Sequence, residues 1–341
     1  MKGLIVCAGK GTRLKPFTFS RPKTLLPVAN KPILFYAIEK LADKGIRDIG
    51  IVIHPSQEPL ICSLAGKGEC FGVSLTYIYQ NEPKGIADAV AAAESFIGKN
   101  DFILMLGDNL VKEPLDMLID QLKHSTACLL LTKVNNPQQY GVAEINDNEI
   151  IRLEEKPEFP KSNLTVVGVY AFKNEIFNCI RVLTASKRGE LEITDAIQRL
   201  IDQKDKVAYV ITSQHCSDVG NPERWLEANK WMMDEVCNDT NIISADAILI
   251  NCTINSPVII SSGCMLKNCT IGPYVSVMSG ATLEECHMEH SVLLQDVTIS
   301  GTRQNYVSGI FGEKTRLTTF GDSHKEPFIL GDLSQCIWPK H

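Results

Sequence analysis

An aliphatic side chain returns every six residues in the C-terminal part of this 341-residue chain, and no other feature restricts the fold as strongly. A period of six fits neither an α-helix, with about 3.6 residues per turn, nor a lone strand, with about two. It is typical of a parallel β-helix, whose stacked coils bury a ladder of aliphatic side chains. The ladder consists of Ile242, Ile248, Ile254, Ile260 and Leu266, then, after a slip of one residue, Ile271, Val277 and Leu283.

The repeat has a sharp beginning and a gradual end. It starts near residues 237–242, directly after a helical pattern over residues 222–236, and it fades from Gly301 onward. We therefore predict two domains, residues 1–237 and residues 238–341, in a chain long enough for a sizeable core.

Residues 1–237 show a different pattern, in which short apolar runs alternate with stretches of helical spacing. Strands are predicted at residues 49–53, 75–79, 102–106, 128–132, 166–172 and 207–211, and helices at residues 33–41, 86–97 and 115–122. This alternation predicts a doubly wound, Rossmann-like α/β domain with a mixed sheet. Ligands of such sheets bind beyond the carboxyl ends of the strands.

A glycine-rich turn within a basic segment follows the first apolar run. Residues 1–38 contain seven Lys or Arg and no Asp or Glu, although the whole chain has a net charge of −6. The case for a dinucleotide-binding fingerprint is weak, because Leu14 stands where that motif needs its third glycine. The case for a P-loop is weak as well, because that motif needs Ser or Thr directly after its lysine and Lys10 is followed by Gly11. Two interpretations remain, a nucleoside triphosphate loop and a tight turn with surface lysines.

Composition narrows the class of protein. A hydrophobic content of 44% and a charged content of 22% are ordinary for a globular protein, and an acidic chain is a poor general nucleic-acid binder. No apolar run is long enough for a membrane span, and no signal-peptide pattern is present. The 12 cysteines form no Cys-x-x-Cys pair. We therefore expect a cytoplasmic protein with neither membrane nor nucleic-acid partners, whose cysteines serve as small buried hydrophobes.

The basic segment contains two characteristic stretches, Gly9-Lys10-Gly11-Thr12-Arg13-Leu14-Lys15-Pro16 and Arg21-Pro22-Lys23-Thr24-Leu25-Leu26-Pro27-Val28. Together they resemble the signature of the sugar-1-phosphate nucleotidyltransferases. Within that family the chain is similar to the long-form glucose-1-phosphate thymidylyltransferases, which end in a left-handed β-helix of hexapeptide repeats. The resemblance extends from Met1 to about Ser300 and implies Mg²⁺-dependent transfer of a nucleotide from dTTP to glucose 1-phosphate, giving dTDP-glucose and pyrophosphate.

This chemistry needs no covalent nucleophile, because the attacking phosphate oxygen is already an anion. Catalysis then consists of alignment and charge neutralisation around the α-phosphorus. The resemblance assigns the catalytic roles to Arg13 and Lys23, and the Mg²⁺ ligands to Asp108 and Asp218. It implies nucleotide binding by Ala8, Gly9, Gly11, Thr12, Arg13, Gln80, Gly85 and Asp108.

Three later stretches resemble the hexose-binding parts of the family, and a fourth, which begins at Arg188, matches another family motif that the resemblance places in the same pocket. Glycines there would let backbone groups reach sugar hydroxyls, while a carboxylate accepts hydrogen bonds and basic side chains hold the phosphate. The implied sugar-phosphate ligands are Tyr140, Gly141, Glu155, Lys156, Val167, Gly168 and Arg188.

Other functions remain open from the sequence. The same chemistry with UTP or another sugar 1-phosphate is the nearest alternative, because one methyl group separates thymine from uracil. A hexapeptide-repeat acyltransferase using His287 or His290 is a second, and a non-catalytic regulatory subunit is a third. The set of Arg13, Lys23, Asp108 and Asp218 argues against the last. An open coil end or a lateral aliphatic surface of the β-helix predicts a homo-oligomer.

Overall fold

A computed structural model describes residues 1–319 and 328–338 of the chain. The backbone divides into two compact units. The first unit comprises Met1–Lys10 and Ile33–Ser217, and the second comprises Gly11–Pro32 and Asp218–His341. The predicted domain boundary between residues 237 and 238 follows the change of sequence pattern and stays a prediction.

The strands are numbered in chain order. They are β1 (Lys2–Val6), β2 (Pro27–Val28), β3 (Lys31–Pro32), β4 (Asp48–Ile53), β5 (Ser74–Tyr79), β6 (Phe102–Leu106), β7 (Asn109–Val111), β8 (Ala127–Lys133), β9 (Gly141–Asn146), β10 (Glu149–Glu155), β11 (Leu164–Phe172), β12 (Val207–Thr212), β13 (Cys216–Asp218), β14 (Asn241–Ile243), β15 (Ile248–Ile250), β16 (Thr253–Ile254), β17 (Val258–Ile260), β18 (Met265–Lys267), β19 (Thr270–Ile271), β20 (Val275–Val277), β21 (Thr282–Leu293), β22 (Thr298–Phe311), β23 (Arg316–Thr319), β24 (Phe328–Leu330) and β25 (Gln335–Trp338).

The α-helices are numbered in the same way. They are α1 (Ile33–Asp43), α2 (Glu58–Ala65), α3 (Ile86–Ala92), α4 (Glu94–Ile97), α5 (Asp116–Leu122), α6 (Ile176–Ile180), α7 (Ile193–Asp202) and α8 (Pro222–Cys237). Short 3₁₀ turns cover Thr12–Leu14, Phe17–Phe19, Lys23–Leu25, Pro55–Gln57, Glu69–Phe71 and Pro137–Gln139.

The first unit is built on a mixed sheet, as the sequence predicted. Its strands run in the order β10-β9-β11-β6-β1-β4-β5, and β8 pairs with both β11 and β12. The central strands β6, β1, β4 and β5 are parallel, whereas β11 is antiparallel to β6. β6 is a run of five apolar residues that is almost wholly buried, as a strand covered on both faces should be.

The prediction of one continuous helix over residues 86–97 is wrong. The pattern over residues 86–97 predicted a single helix, but the chain forms α3 and α4, which meet at Ala93. Ala93 has φ −91° and ψ 1°, and its N–H donates to the carbonyl of Val90, three residues back, at 3.0 Å. This tight i−3 bond ends the α-helical turn, and the apolar spacing carries no sign of it.

The C-terminal half of the second unit is a parallel β-helix, in agreement with the six-residue repeat. Ile254 pairs with Ile271, and Ile271 pairs with Met288, so each of these coils takes 17 residues. Three repeats of six would take about 18, and the missing residue explains the slip between Leu266 and Ile271. Ile260, Leu266, Ile271, Val277 and Leu283 are all buried, as predicted.

The first coil and the last coils differ from the predicted pattern. Ile242 and Ile248 are 43% and 53% exposed, so their assignment to the buried ladder is wrong. The partly buried Leu249 instead pairs with the buried Leu266. The coils also continue where the sequence repeat fades, because β22 pairs in parallel with β23 and β24, and β23 pairs with β25.

Two further expectations concern cysteines and membranes. Every one of the 12 cysteines lies in the described ranges as a free thiol, and more than half are buried. Across those same ranges, no helix combines the length and the apolar character that a membrane crossing requires.

Candidate active site

The part of the basic segment that lies in the second unit, Gly11–Val28, is called the signature segment below. It folds back on itself at Gly11, which adopts φ 61°. A Cβ there would lie 2.8 Å from Thr18 Cγ2 and 3.1 Å from Lys23 Cβ, and the Thr18 hydroxyl donates to the Gly11 carbonyl at 2.9 Å. Only glycine combines this conformation with so close an approach, and the approach places the stem of Lys23 against the start of the segment.

Arg13 and Asp218 come together in the second unit around Gly220. A Cβ at Gly220 would lie 2.6 Å from Asp218 Oδ2 and 3.4 Å from Arg13 Nη2. Arg224, in the first turn of α8, forms an ion pair with Asp218 Oδ1. The helix begins there because Asn221 caps it, accepting a hydrogen bond from Arg224 N at 2.9 Å.

In the first unit, Asp108 lies in the turn between β6 and β7. The Gly107 N–H that precedes it donates to the Val6 carbonyl at 2.9 Å, which ties this turn to the end of β1. Asn109 donates from its side-chain amide to the Val167 carbonyl. Gly168, with φ 78°, makes room for that amide, because a Cβ there would lie 2.5 Å from Asn109 Nδ2. The turn therefore connects Asp108 to two of the predicted sugar-binding residues.

Gln80 and Gly85, two of the predicted nucleotide-binding residues, are joined by a hydrogen-bond network. The Gln80 amide donates from Nε2 to the Gly85 carbonyl at 3.1 Å and to Asp88 Oδ2 at 2.7 Å. Both partners can only accept, so the amide NH₂ must face them and Oε1 must face elsewhere. Gly85 has φ 109°, and a Cβ there would lie 2.4 Å from the Leu191 carbonyl oxygen.

The predicted sugar-binding residues gather around Glu155 at the end of β10. Glu155 accepts hydrogen bonds from Thr194 Oγ1 at 3.4 Å and Arg188 Nη1 at 3.5 Å, and Lys156 Nζ lies 3.6 Å away. A Cβ at Gly141 would lie 3.2 Å from Glu155 Oε2. Tyr140 joins the cluster through its carbonyl, which accepts from Lys156 N at 3.0 Å.

Burial raises the pKa of Glu155, while the charges of Lys156 and Arg188 act in the opposite direction. Arg188 also reaches the nearly buried Glu192, with Nη1 at 3.2 Å from Oε1. The cluster thus presents a carboxylate that accepts hydrogen bonds beside two cationic side chains, which is the chemistry that a sugar phosphate requires.

We expect the substitution Glu155→Gln to remove a pH-dependent loss of stability. Because the folded-state pKa of Glu155 lies above its ordinary 4.5, the folded chain keeps this proton over a range in which the unfolded chain has released it. Over that range the free energy of unfolding falls as pH rises, and the loss is complete above the folded-state pKa. Glutamine at position 155 cannot titrate and lacks this fall.

Urea unfolding at a series of pH values from 4 upward checks this expectation. Glu154→Gln is the matched control, since Glu154 is an exposed neighbour in an exposed ion pair with Arg152, which contributes little. Identical pH profiles for the wild type and Glu155→Gln would contradict the assignment.

Comparison with known proteins identifies the family. The profile of the family described as "Nucleotidyl transferase" matches residues 2–235. The chain belongs to the nucleotidyl transferase family. This membership supports the coarse prediction of a nucleotidyltransferase that acts on sugar 1-phosphates.

The relatives of this nucleotidyltransferase carry several names. It is 41% identical to the low-salt glycan biosynthesis nucleotidyltransferase Agl11 of Haloferax volcanii over 69% of this chain and 67% of the relative. It is also 41% identical to a glucose-1-phosphate thymidylyltransferase of Streptomyces griseus over 69% of this chain and 66% of the relative. The bifunctional protein GlmU of Methanocaldococcus jannaschii is 36% identical over 70% of this chain and 56% of the relative.

A solved structure shows the same similarity. A protein from Bacillus anthracis, described as a glucose-1-phosphate thymidylyltransferase and crystallised with sucrose, is 36% identical to this nucleotidyltransferase. The TM-score is 0.64, and the match covers 67% of this chain and 94% of the other. Among the curated relatives, the matched region is about two thirds of the length of the first two and 56% of the length of the third.

The structure adds residues that the sequence did not single out. Asp88 orients the side-chain amide of Gln80, and Asn109 holds the turn that contains Asp108. Arg224 shares the carboxylate of Asp218. Asp88 lies three residues after Gly85, Asn109 one residue after Asp108, and Arg224 six residues after Asp218, and this proximity in the chain is the signal that could have found them.

The basic segment also needs a correction, because some of its seven cations have partners of their own. Lys2 donates to the Phe96 carbonyl at 2.6 Å, and Arg21 is paired with Glu313 and Asp332. The cluster of positive charge in the sequence is therefore larger than the part of it that can serve a polyphosphate.

Proposed function

We propose that the chain catalyses Mg²⁺-dependent transfer of a nucleoside monophosphate from dTTP to glucose 1-phosphate, giving dTDP-glucose and pyrophosphate. The observation that carries this proposal is the signature segment, which places the Arg13 guanidinium beside the Asp218 carboxylate in a chain of the nucleotidyl transferase family. The naming of a relative at 41% identity as a glucose-1-phosphate thymidylyltransferase supports the choice of substrates.

In the proposed mechanism the protein aligns two phosphates and neutralises charge. The backbone around Ala8, Gly9, Gly11 and Thr12 faces the triphosphate, Arg13 grips it with a planar, multidentate guanidinium, and Lys23 supplies a point charge. A phosphate oxygen of the sugar substrate attacks the α-phosphorus in line, and pyrophosphate leaves. Glu155 accepts from sugar hydroxyls, while Lys156 and Arg188 hold the sugar phosphate.

The donor set fits magnesium that is carried by the substrate. Among residues 1–319 and 328–338, no three His, Cys, Asp or Glu side chains are grouped to hold a metal by themselves. Mg²⁺ prefers oxygen ligands and is commonly bound by one or two carboxylates together with substrate phosphates. Asp108 and Asp218 would supply those carboxylates, and the bound ion would stabilise charge on the phosphates.

The orientation of Gln80 bears on the base. With its NH₂ committed to Gly85 and Asp88, the amide presents Oε1 as an acceptor, which matches the ring N–H of thymine or uracil. Cytosine carries an acceptor at the same ring position and would meet Oε1 unfavourably. This geometry supports dTTP or UTP over CTP and leaves the choice between thymine and uracil to other contacts.

We expect Asp88→Ala to weaken discrimination against CTP. Without the carboxylate, the Gln80 amide is free to rotate and to offer an N–H to cytosine, which removes a mismatch worth about 1–3 kcal/mol, or roughly 5- to 150-fold. Asp88→Asn keeps an accepting oxygen and should stay near the wild type. The ratio of kcat/KM for dTTP to that for CTP measures the effect. The control is Glu82→Ala in the same loop, whose exposed ion pair with Lys84 is not part of the network. An unchanged ratio in Asp88→Ala would contradict the orienting role.

The test of the proposed function is a substrate panel. Pyrophosphate release is measured with dTTP and UTP against glucose 1-phosphate and other sugar 1-phosphates, with and without Mg²⁺. The highest kcat/KM for dTTP with glucose 1-phosphate supports the proposal, and preference for UTP or another sugar supports the nearest alternative. Acyl-CoA consumption without pyrophosphate release would favour the acyltransferase, and inactivity with every substrate would favour a regulatory subunit.

We also propose that the protein is a homo-oligomer. The first coils of the β-helix expose Ile248, Ile250 and Met265 on strands β15 and β18, an aliphatic surface that a second copy of the chain could cover. Light scattering at micromolar concentration measures the mass, and a monomer would contradict this proposal.

A further inference from the structure

The signature segment is fastened to the last coils of the β-helix through Arg21. Arg21 Nη2 lies 2.7 Å from Glu313 Oε2 and 3.0 Å from Asp332 Oδ2, and the side chains of Arg21 and Asp332 are only 15% and 11% exposed. Ser20, the preceding residue, donates its hydroxyl to the same Asp332 oxygen. One guanidinium and one hydroxyl of the segment are thus held by two carboxylates from distant parts of the chain.

The receiving surface is ordered by its own hydrogen bonds. Asp332 Oδ1 accepts from Glu313 N at 2.7 Å, which fixes one carboxylate relative to the other. Thr315, which is fully buried, donates to the Gly331 carbonyl at 3.0 Å. A Cβ at Gly331 would lie 2.5 Å from Pro16 Cγ, so this glycine allows the signature segment to approach closely. The surface is therefore complementary to the signature segment in shape as well as in charge.

The two residues that directly follow the signature segment, Ala29 and Asn30, are held as well. The buried side chain of Asn229 in α8 accepts from Ala29 N at 2.8 Å and from Ser276 Oγ of the β-helix at 3.1 Å. Asn30 donates to the Val277 carbonyl at 2.8 Å and to Ser261 Oγ at 2.9 Å. The stretch that carries Lys23 therefore runs between two attachments, at residues 20–21 and 29–30, and Arg13 lies in the turn before the first of them.

These contacts decide what Arg21 can do. Two carboxylates already neutralise its guanidinium, so it is a poor ligand for an incoming phosphate. Lys23 follows two residues later, after Pro22 with its fixed φ, and the stem of Lys23 packs against Gly11. A shift of Arg21 is thus passed along a short, stiff path to Lys23 and to the turn that precedes Arg13.

We propose that Arg21 is a positioning residue: its anchorage on Glu313 and Asp332 makes the β-helix the support that holds Arg13 and Lys23 in place for nucleotidyl transfer. This inference rests on the proposed function, because positioning is read out through turnover. It gives the C-terminal coils a role in the chemistry of their own subunit, separate from any role in assembly.

The test uses the full-length chain and compares both sides of the contact. Arg21→Ala and the double variant Glu313→Gln with Asp332→Asn are both expected to lower kcat by about 10- to 100-fold, since small misplacements of catalytic groups have effects of this size. The KM for the sugar phosphate is expected to stay near the wild-type value. If Arg21 instead bound phosphate directly, removing its carboxylate partners would leave kcat unchanged or raise it, which would overturn the inference.

Non-additivity separates positioning from general stability. In a Lys23→Ala background, Arg21→Ala is expected to lower kcat much less than it does in the wild type, because the group being positioned is already missing. A full additional loss in that background would overturn the inference. The control is Lys267→Ala, which breaks an exposed ion pair with Glu284 on the β-helix and should leave kcat unchanged.

Failure of the proposed function and failure of the positioning role give different results. A wild-type protein that releases no pyrophosphate with any nucleotide contradicts the proposed function. A wild-type protein that is active, while Arg21→Ala and the double carboxylate variant keep full kcat, contradicts the positioning role alone. Circular dichroism and thermal unfolding of each variant confirm that activity is compared between folded proteins.

Discussion

Arg13→Ala is expected to lower kcat for pyrophosphate release by on the order of 10²-fold or more, with a smaller change in the KM for the sugar phosphate. Charge develops on the phosphates in the transition state, and a preorganised guanidinium stabilises that charge by several kcal/mol, or about 3–4 for one such donor. The position of Arg13 beside Asp218 and Gly220 keeps the group preorganised. Arg13→Lys keeps the charge but loses the planar fork, so its kcat should lie between those of Arg13→Ala and the wild type.

Steady-state kinetics with saturating nucleotide checks this expectation. Lys15→Ala is the matched control, because it removes a positive charge two residues away whose ammonium lies 4.8 Å from the centre of the Phe19 ring. If Lys15→Ala were as impaired as Arg13→Ala, only the total charge of the segment would matter. Near-normal turnover in Arg13→Ala would contradict the catalytic assignment.

Trp225→Ala is expected to destabilise the second unit by about 3–5 kcal/mol. Trp225 in α8 is fully buried, meets Phe17 edge to face with ring centroids 5.2 Å apart, and donates from Nε1 to the Pro27 carbonyl at 2.6 Å. Alanine leaves a large cavity and an unpaired carbonyl. Trp225→Phe retains most of the apolar volume but leaves the Pro27 carbonyl without its donor, so we expect the free energy of unfolding to fall by about 1–3 kcal/mol.

Denaturant unfolding of the variants measures both losses. Trp231→Phe makes the same substitution on the same helix at a partly exposed position, and we expect it to cost less than about 1 kcal/mol. Since Phe17 and Pro27 belong to the signature segment, Trp225→Phe should also lower kcat in the folded fraction. Equal stabilities for Trp225→Phe and Trp231→Phe would contradict the role given to the indole hydrogen bond.

Local patterns in the sequence were sufficient to predict those elements whose structure is decided by residues that are close together in the chain. The apolar run at residues 102–106 coincides with β6, and the helical spacing after residue 33 coincides with α1. The six-residue repeat predicted the β-helix because stacking repeats the same environment in every coil. The motif around Arg13 predicted the family through its resemblance to the family signature, whose basic residues suit the chemistry of phosphate binding.

Partners that are distant in the chain were not predictable in this way. Arg21 stands in a run of cations, and nothing near it indicates that Glu313, 292 residues later, will pair with it. The fading repeat after Gly301 concealed coils that persist through backbone pairing, which tolerates most side chains. Likewise the orientation of the Gln80 amide depends on Asp88, and the sequence shows only that the two lie eight residues apart.

The 17-residue length of the coils around Ile271 limits how the length of this chain can change. Deleting one residue from a straight stretch would turn each later side chain in that stretch over, so that buried and exposed residues exchange places. Deleting 17 consecutive residues would restore the pairing one coil earlier, yet it would move Asp332 about 4.8 Å away from Arg21, the spacing of adjacent strands. Insertions and deletions in this domain should therefore come as whole coils, and should be confined to coils that do not displace the attachment of the signature segment.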